Sequence, residues 1–172
     1  MTFHAAFYMK DSPYDVFDLV EKSINVIEER LSRLDIEIEL RPELTGKTSQ
    51  FGSLEELITL TRNIYSVKPC IDFSHLYART DDYNSYESMV AVLTRLQNEL
   101  GEDALDSMHI HVSGISSNSK GDLKHLNLAQ SKFNWKDMIR ALKDKNCKGY
   151  VISNSPNLEE DALLMKEYYQ SL

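Results

Sequence analysis

Val67-Lys68-Pro69-Cys70-Ile71-Asp72 and Met108-His109-Ile110-His111-Val112-Ser113 flank the segment Ser85 to Leu100. These three stretches decide the fold class. The outer two are short apolar runs and read as strands. Between them, apolar residues recur at helical spacing and stop at Gly101, a residue suited to the position just after a helix. Strand, helix, strand in that order predicts two parallel strands joined by a crossover helix.

The same alternation extends in both directions. Ser12-Pro13 is a helix start, an N-cap followed by proline in the first turn. Val16, Phe17, Leu19, Val20, Ile24, Ile27, Leu31 and Leu34 then predict one amphipathic helix over 13–34. Thr2 to Tyr8 reads as a short strand before it, and Ile36 to Arg41 as a period-two strand after it. Ser53-Leu54-Glu55-Glu56 is a capping box opening a helix to Asn63. On the C-terminal side, Ser116 to Gly121 reads as a polar loop. Asn134 to Lys145 reads as a helix, Lys148 to Ser153 as a strand and Leu158 to Ser171 as a last helix.

The result is an α/β chain of about five βα units. A doubly wound open sheet suits five strands. A (β/α)₈ barrel needs eight strands and ~200 residues or more, so this chain would supply only part of one. No Gly-x-Gly-x-x-Gly or Walker loop follows any strand, which weakens a nucleotide-binding reading. The chemistry at the strand ends favours the partial barrel.

The chain has 172 residues, 42% hydrophobic and 27% charged, with 27 acidic against 19 basic side chains and a net charge of −8. That composition predicts one globular domain over 1–172. The acidic balance argues against indiscriminate nucleic-acid binding, but not against a local metal site that attracts phosphate. No apolar run approaches the ~20 residues of a membrane span. The N-terminus has no basic region followed by an apolar core, so no secretory signal and a cytoplasmic location are expected. Cys70 and Cys147 sit in apolar runs and read as free thiols of a reducing compartment.

In parallel α/β folds, chemistry gathers at the carboxyl ends of strands. Here those ends carry His4, Glu43, Asp72 with His75, His109 with His111, Asp122 with His125, and Asn154. All five histidines lie at or just past a predicted strand. Imidazoles and carboxylates are the usual ligands of zinc and related divalent ions. Glu43 alternatively caps the next helix or pairs with Arg41. Alternation puts His111 on the same face as His109, where it is expected to support the ligands instead of joining them.

Glu43-Leu44-Thr45-Gly46-Lys47, Cys70-Ile71-Asp72-Phe73-Ser74-His75, Met108-His109-Ile110-His111 and Ser155-Pro156-Asn157 together resemble the endonuclease IV family. These are type 2 apurinic/apyrimidinic endonucleases of the xylose-isomerase-like barrel superfamily, and the likeness is nearest to archaeal members. It runs from about His4 to Tyr168. The resemblance implies a zinc-dependent hydrolase (Mn or another divalent ion being an alternative) that cleaves DNA beside abasic sites in base-excision repair. It implies His4 as a ligand of the first ion and Glu43 as the central catalytic carboxylate bridging two ions. Asp72 and His109 would then serve the second ion, and His75 and His125 the third. The chain departs from the family in four places, one being His4-Ala5-Ala6 where the family begins His-Pro-Gly. Its units resemble only strands four to eight. Asn154 stands where the family has a glutamate. The spacing from Asp122 to His125 is one residue longer.

Two other readings remain open from the sequence. One is a sugar isomerase or epimerase of the same superfamily, built on a single divalent ion. The other is a non-catalytic interaction module. Five strands of a barrel leave two open edges, so a homo-oligomer, or a chain supplying the missing strands, is the expected partner alongside abasic DNA.

Overall fold

The computed structural model describes residues 1–172. The chain opens with strand β1 (Thr2–Phe3) and helix α1 (Pro13–Arg33), then β2 (Arg41–Pro42) and α2 (Leu54–Asn63). Strand β3 (Cys70–Asp72) runs directly into α3 (Phe73–Thr80), and α4 (Tyr86–Leu100) leads to β4 (Met108–Val112). A hairpin of β5 (Gly114–Asn118) and β6 (Gly121–Leu126) precedes α5 (Trp135–Asp144), β7 (Gly149–Ser153) and α6 (Glu159–Ser171). β1 pairs with β2, and β3, β4 and β7 form one ladder, all parallel. Parallel bridges Leu40–Val67 and Glu43–Cys70 join the two groups. The order β1-β2-β3-β4-β7 is that of consecutive strands in a barrel wall, so the architecture is a partial α/β barrel.

The helices start and stop where their ends are chemically satisfied. Ser12 accepts from the Asp15 N–H with Pro13 in the first turn, placing α1 as its signal predicts. At α2 the Ser53 hydroxyl accepts from the Glu56 N–H, and the Glu56 carboxylate accepts from the Ser53 N–H. Four of the five expected strands sit inside their predicted stretches, but the ladders are shorter. Thr2–Tyr8 joins the parallel sheet only over Thr2–Phe3, with an isolated antiparallel bridge from Phe7 to Gln50. The Ile36–Arg41 alternation lies mostly outside the sheet: Ile36 and Ile38 are exposed, and pairing begins at Leu40. The expected polar loop at 116–121 is instead the tip and flanks of the β5/β6 hairpin.

Strand alternation divides the side chains into two sets. Leu40, Ile71, Met108, Ile110 and Val112 face outward and are buried with Leu57 of α2, Leu93 and Leu96 of α4, and Met138 and Ile139 of α5. They belong to one contiguous cluster of 33 buried apolar residues. Each fully buried large side chain contributes roughly 1.5–3 kcal/mol relative to exposure, against roughly 1 kcal/mol for a ladder hydrogen bond. The helical layer therefore holds the short strands in place. Arg41 and Glu43, Cys70 and Asp72, and His109 and His111 occupy the alternate positions. The sheet thus presents its polar chemistry on the face away from the helices.

β7 begins at Gly149 with φ +123°, and a Cβ there would lie 2.0 Å from the Met108 carbonyl oxygen. Only glycine fits this crossing. Gly149→Ala is expected to lower unfolding stability by about 2–4 kcal/mol from left-handed strain plus the clash. Urea denaturation checks it, and an unchanged midpoint would mean that β7 is not seated on β4 in this way.

Candidate metal centre

The parallel register decides which side chains meet. Glu43 bridges to Cys70 in the ladder, and Asp72 pairs with His111. Glu43, Asp72 and His111 consequently present ligand atoms within 4.8 Å of one another, all three residues buried. His4, Glu43 and His75 form a second such group. Glu43 belongs to both.

Each member is positioned by local structure. Asp72 ends β3 and caps α3: its Oδ1 accepts from the His75 N–H at 2.8 Å and from the Ser74 hydroxyl at 2.5 Å. Its Oδ2 is buried without a hydrogen bond and lies 3.4 Å from His75 Nδ1. Glu43 Oε1 is 3.1 Å from His111 Nδ1, and Oε2 is 3.7 Å from His4 Nε2. The His111 nitrogen is buried and sits off line for a full hydrogen bond.

His75 and His125 form a distinct arrangement. His75 Nδ1–H donates to the Leu44 carbonyl at 3.0 Å, and His125 Nδ1–H donates to the Asn154 carbonyl at 3.1 Å. With Nδ1 of each ring so engaged, Nε2 is the nitrogen left to take a proton or a metal ion. Those two Nε2 atoms are only 3.2 Å apart. Two lone pairs at that separation repel unless a cation, either a proton or a metal ion, sits with them. Imidazoles oriented through the far nitrogen are the usual arrangement around a metal.

The electrostatics follow from this crowding. Burial favours the neutral acid at Glu43, but contacts from His111 and His4 and the charges of His111 and His75 outweigh it and hold the carboxyl at about 2. Glu43 is in turn the main cause raising the His4 pKa, against burial. At His111 burial works to lower the pKa, and Glu43 overcomes it. His109 goes the other way: burial, then the His111 and Arg41 charges, lower its pKa.

The structure sorts the residues expected from the sequence. His4, Glu43, Asp72 and His75 converge, and His125 reaches the cluster through His75. His111, expected behind His109, is the one that contacts Glu43. His109 pairs with Cys70 one step lower on the sheet and meets the His111 ring edge-on, centroids 5.2 Å apart. The reason is inter-strand register, which alternation alone does not reveal. Asp122 packs its side chain against Gly46, where a Cβ would come within 2.6 Å of it, and joins no ligand group. Asn154 acts through its main-chain carbonyl on His125 instead of its amide.

Residues outside the expected set also build the site. The Arg79 guanidinium donates to the carbonyls of Thr45, Lys47 and Gln50, clamping the loop after Glu43. The Thr45 hydroxyl donates to the Phe51 carbonyl at 3.0 Å. The buried Ser74 hydroxyl accepts from the Ser113 N–H while donating to Asp72, tying β3 to β4. Asp161 accepts from the Leu128 N–H and from the Asn157 amide, joining the loop after β7 to the segment after the hairpin. Thr45, Ser74 and Asn157 lie inside the motifs quoted from the sequence, whereas Arg79 and Asp161 carried no local signal.

Known proteins place this arrangement. The chain is 41% identical over its whole length to the uncharacterized protein MJ0133 of Methanocaldococcus jannaschii, of which it covers 63%. It is 25% identical over 146 residues to a probable endonuclease 4 of Aster yellows witches'-broom phytoplasma, covering 83% of this chain and 49% of that one. The chain thus spans between about half and two thirds of the length of these relatives. Among solved structures, the apo form of the E. coli 3-keto-D-glucoside 4-epimerase YcjR superposes with a TM-score of 0.62 at 16% identity. That superposition covers 99% of this chain and 62% of the epimerase. Residues 1–170 match a single family, and on that match the protein belongs to the xylose isomerase-like TIM barrels.

Proposed function

We propose that this chain carries the metal-binding half of a barrel that hydrolyses phosphodiester bonds in DNA at abasic sites. The observation that carries the reading is the double membership of Glu43, one carboxylate within reach of two three-ligand groups. A carboxylate shared between neighbouring ions suits a multi-ion site, and multi-ion sites suit in-line displacement at phosphorus. The identity to a probable endonuclease 4 supports the same direction.

The residues present fit divalent ions. The buried Asp72 Oδ2 and His111 Nδ1 lack hydrogen bonds, and the facing Nε2 atoms of His75 and His125 need a cation. His4, Glu43, Asp72, His75, His111 and His125 would hold the ions, with zinc the first candidate from the imidazole-rich donor set. When bound, such ions neutralise phosphate charge and acidify water. The chain's own residues do the rest. Leu44 and Asn154 carbonyls fix the two imidazole tautomers, Ser74 and the α3 N-terminus hold Asp72, and Arg79 holds the Glu43 loop. With a net charge of −8, the bound cations are also what would draw in a phosphate.

The same reading includes a partner. β1 pairs on one side only, and β7 pairs only with β4. Tyr150 and Ile152 on β7, and Leu19 and Val26 on α1, are exposed. Three further βα units would cover both edges and complete the site near His4, the most open of its members. A chain lacking them is expected to self-associate. Sedimentation of the 172-residue chain should show oligomers that dissociate in Tyr150→Lys/Ile152→Lys, and a monodisperse wild-type monomer would contradict this.

Glu43→Gln is expected to lower metal per chain more than any other single ligand substitution, because it removes charge from two groups at once. Elemental analysis after dialysis checks it, and unchanged occupancy would reject the shared role. Proton competition sets the pH dependence. Glu43 raises the His4 and His111 pKa, so protons displace metal starting above the ordinary histidine value of ~6.5. Affinity should climb as pH rises through that region, and a flat profile would mean that these imidazoles are not ligands. The completed barrel should nick an abasic duplex, and chelator should abolish the nicking. Turnover of a free ketose with no nicking would move the assignment to the isomerase class.

A further inference from the structure

Below the mouth lies a second set of donors that the reading above does not use as a unit. Alternation on β3 puts Cys70 beneath Asp72, and alternation on β4 puts His109 beneath His111. The register Cys70–His109 and Asp72–His111 makes these four residues a two-by-two lattice on the inner face. Cys70, His109 and His111 offer ligand atoms that all lie within 4.8 Å of one another. Cys70 is fully buried, His111 is buried and His109 is half-buried.

Cys70 and His109 have no side-chain hydrogen-bond partner, and His111 faces Glu43 Oε1 at 3.1 Å without a full hydrogen bond. The His109 ring makes no hydrogen bond or ion pair, and its aromatic neighbours are His111 and Tyr150. His111 Nδ1 is buried with no hydrogen bond. Cys70 is a free thiol. The donor set differs in kind from the one above it: a sulfur and two imidazoles in place of carboxylates and imidazoles. Thiolate with imidazole selects softer ions such as zinc, cadmium, cobalt(II) or copper(I) over magnesium or manganese. Three protein ligands leave a further coordination position, and the half-exposed side of His109 gives it access to solvent.

We propose that Cys70, His109 and His111 form a thiophilic metal site one layer beneath the Glu43 cluster. An ion entering it takes the Cys70 thiol proton into solvent and binds the thiolate, with no change of oxidation state. His111 is common to both layers, so filling the lower site withdraws an imidazole from the upper one. The two layers therefore compete, and the ion's softness decides which is filled.

The test is cobalt(II) titration of the metal-free 172-residue chain, read at the near-ultraviolet sulfur-to-cobalt charge-transfer band. The wild type and Cys147→Ala should both develop the band, and Cys70→Ala should not. Glu43→Gln should keep it, which separates this site from the upper one: the band survives there even where the phosphodiesterase reading fails. His109→Ala leaves the thiol in place and should weaken binding at the band by at least the ~10-fold that losing even an outer-shell partner costs. Absence of the band in wild type at saturating cobalt would overturn the proposal. So would its persistence in Cys70→Ala, or its loss in Cys147→Ala.

Discussion

Parallel pairing in a fixed register is the constraint on which the rest of this molecule depends. A strand offers alternate side chains to one face, and a one-residue slip would exchange the faces. With Glu43 against Cys70 and Asp72 against His111, the polar side chains of three strands fall on the side away from the helices. The apolar positions between them, Ile71 and Ile110 among them, fall on the helix side and are buried there. The packing that makes the register costly to change is the same packing that stabilises the fold. The site is thus enforced by the hydrophobic layer behind it.

Within that frame the decisive interaction is a buried carboxylate surrounded by imidazoles. An isolated buried carboxylate would take up a proton. Glu43 stays ionised because His111, His4 and His75 lie around it. Carbonyls of Leu44 and Asn154 orient the remaining rings, and a helix N-terminus orients Asp72. The donors are therefore arranged before any ion arrives, which lowers the ordering cost of binding one.

The organisation of the wall agrees with a chain spanning only part of the length of its relatives. Helices cover one face of the five parallel strands, and the strands at both ends lack a neighbour. Apolar side chains of α1 and β7 remain exposed at those edges. A parallel sheet is normally covered on both faces, and here the face away from the helices is not. No helix of the chain is long and apolar enough to cross a membrane.

The succession of strands and helices could be read residue by residue, because hydrophobic periodicity and capping are local. Ser12-Pro13 and the Ser53/Glu56 box mark their helices in both sequence and structure. The gathering of imidazoles and carboxylates at strand ends was equally visible, since it depends only on where His4, Glu43, Asp72 and His75 fall. Three things were not legible. Helix α3 follows β3 with no loop, and its single cap is Asp72, which reads first as a strand end. The β5/β6 hairpin is built from serine, asparagine and lysine with little apolar alternation, and tertiary contact with Gly46 holds its turn. The exchange of His109 for His111 beside Glu43 was hidden as well. Both histidines lie on one face, and the pairing of β4 with β3, 39 positions apart in sequence, chooses between them. Periodicity and caps act over a few residues and are written in the chain. Register, tautomer and the approach of one carboxylate to three imidazoles arise only when distant segments meet, and there packing makes the choice.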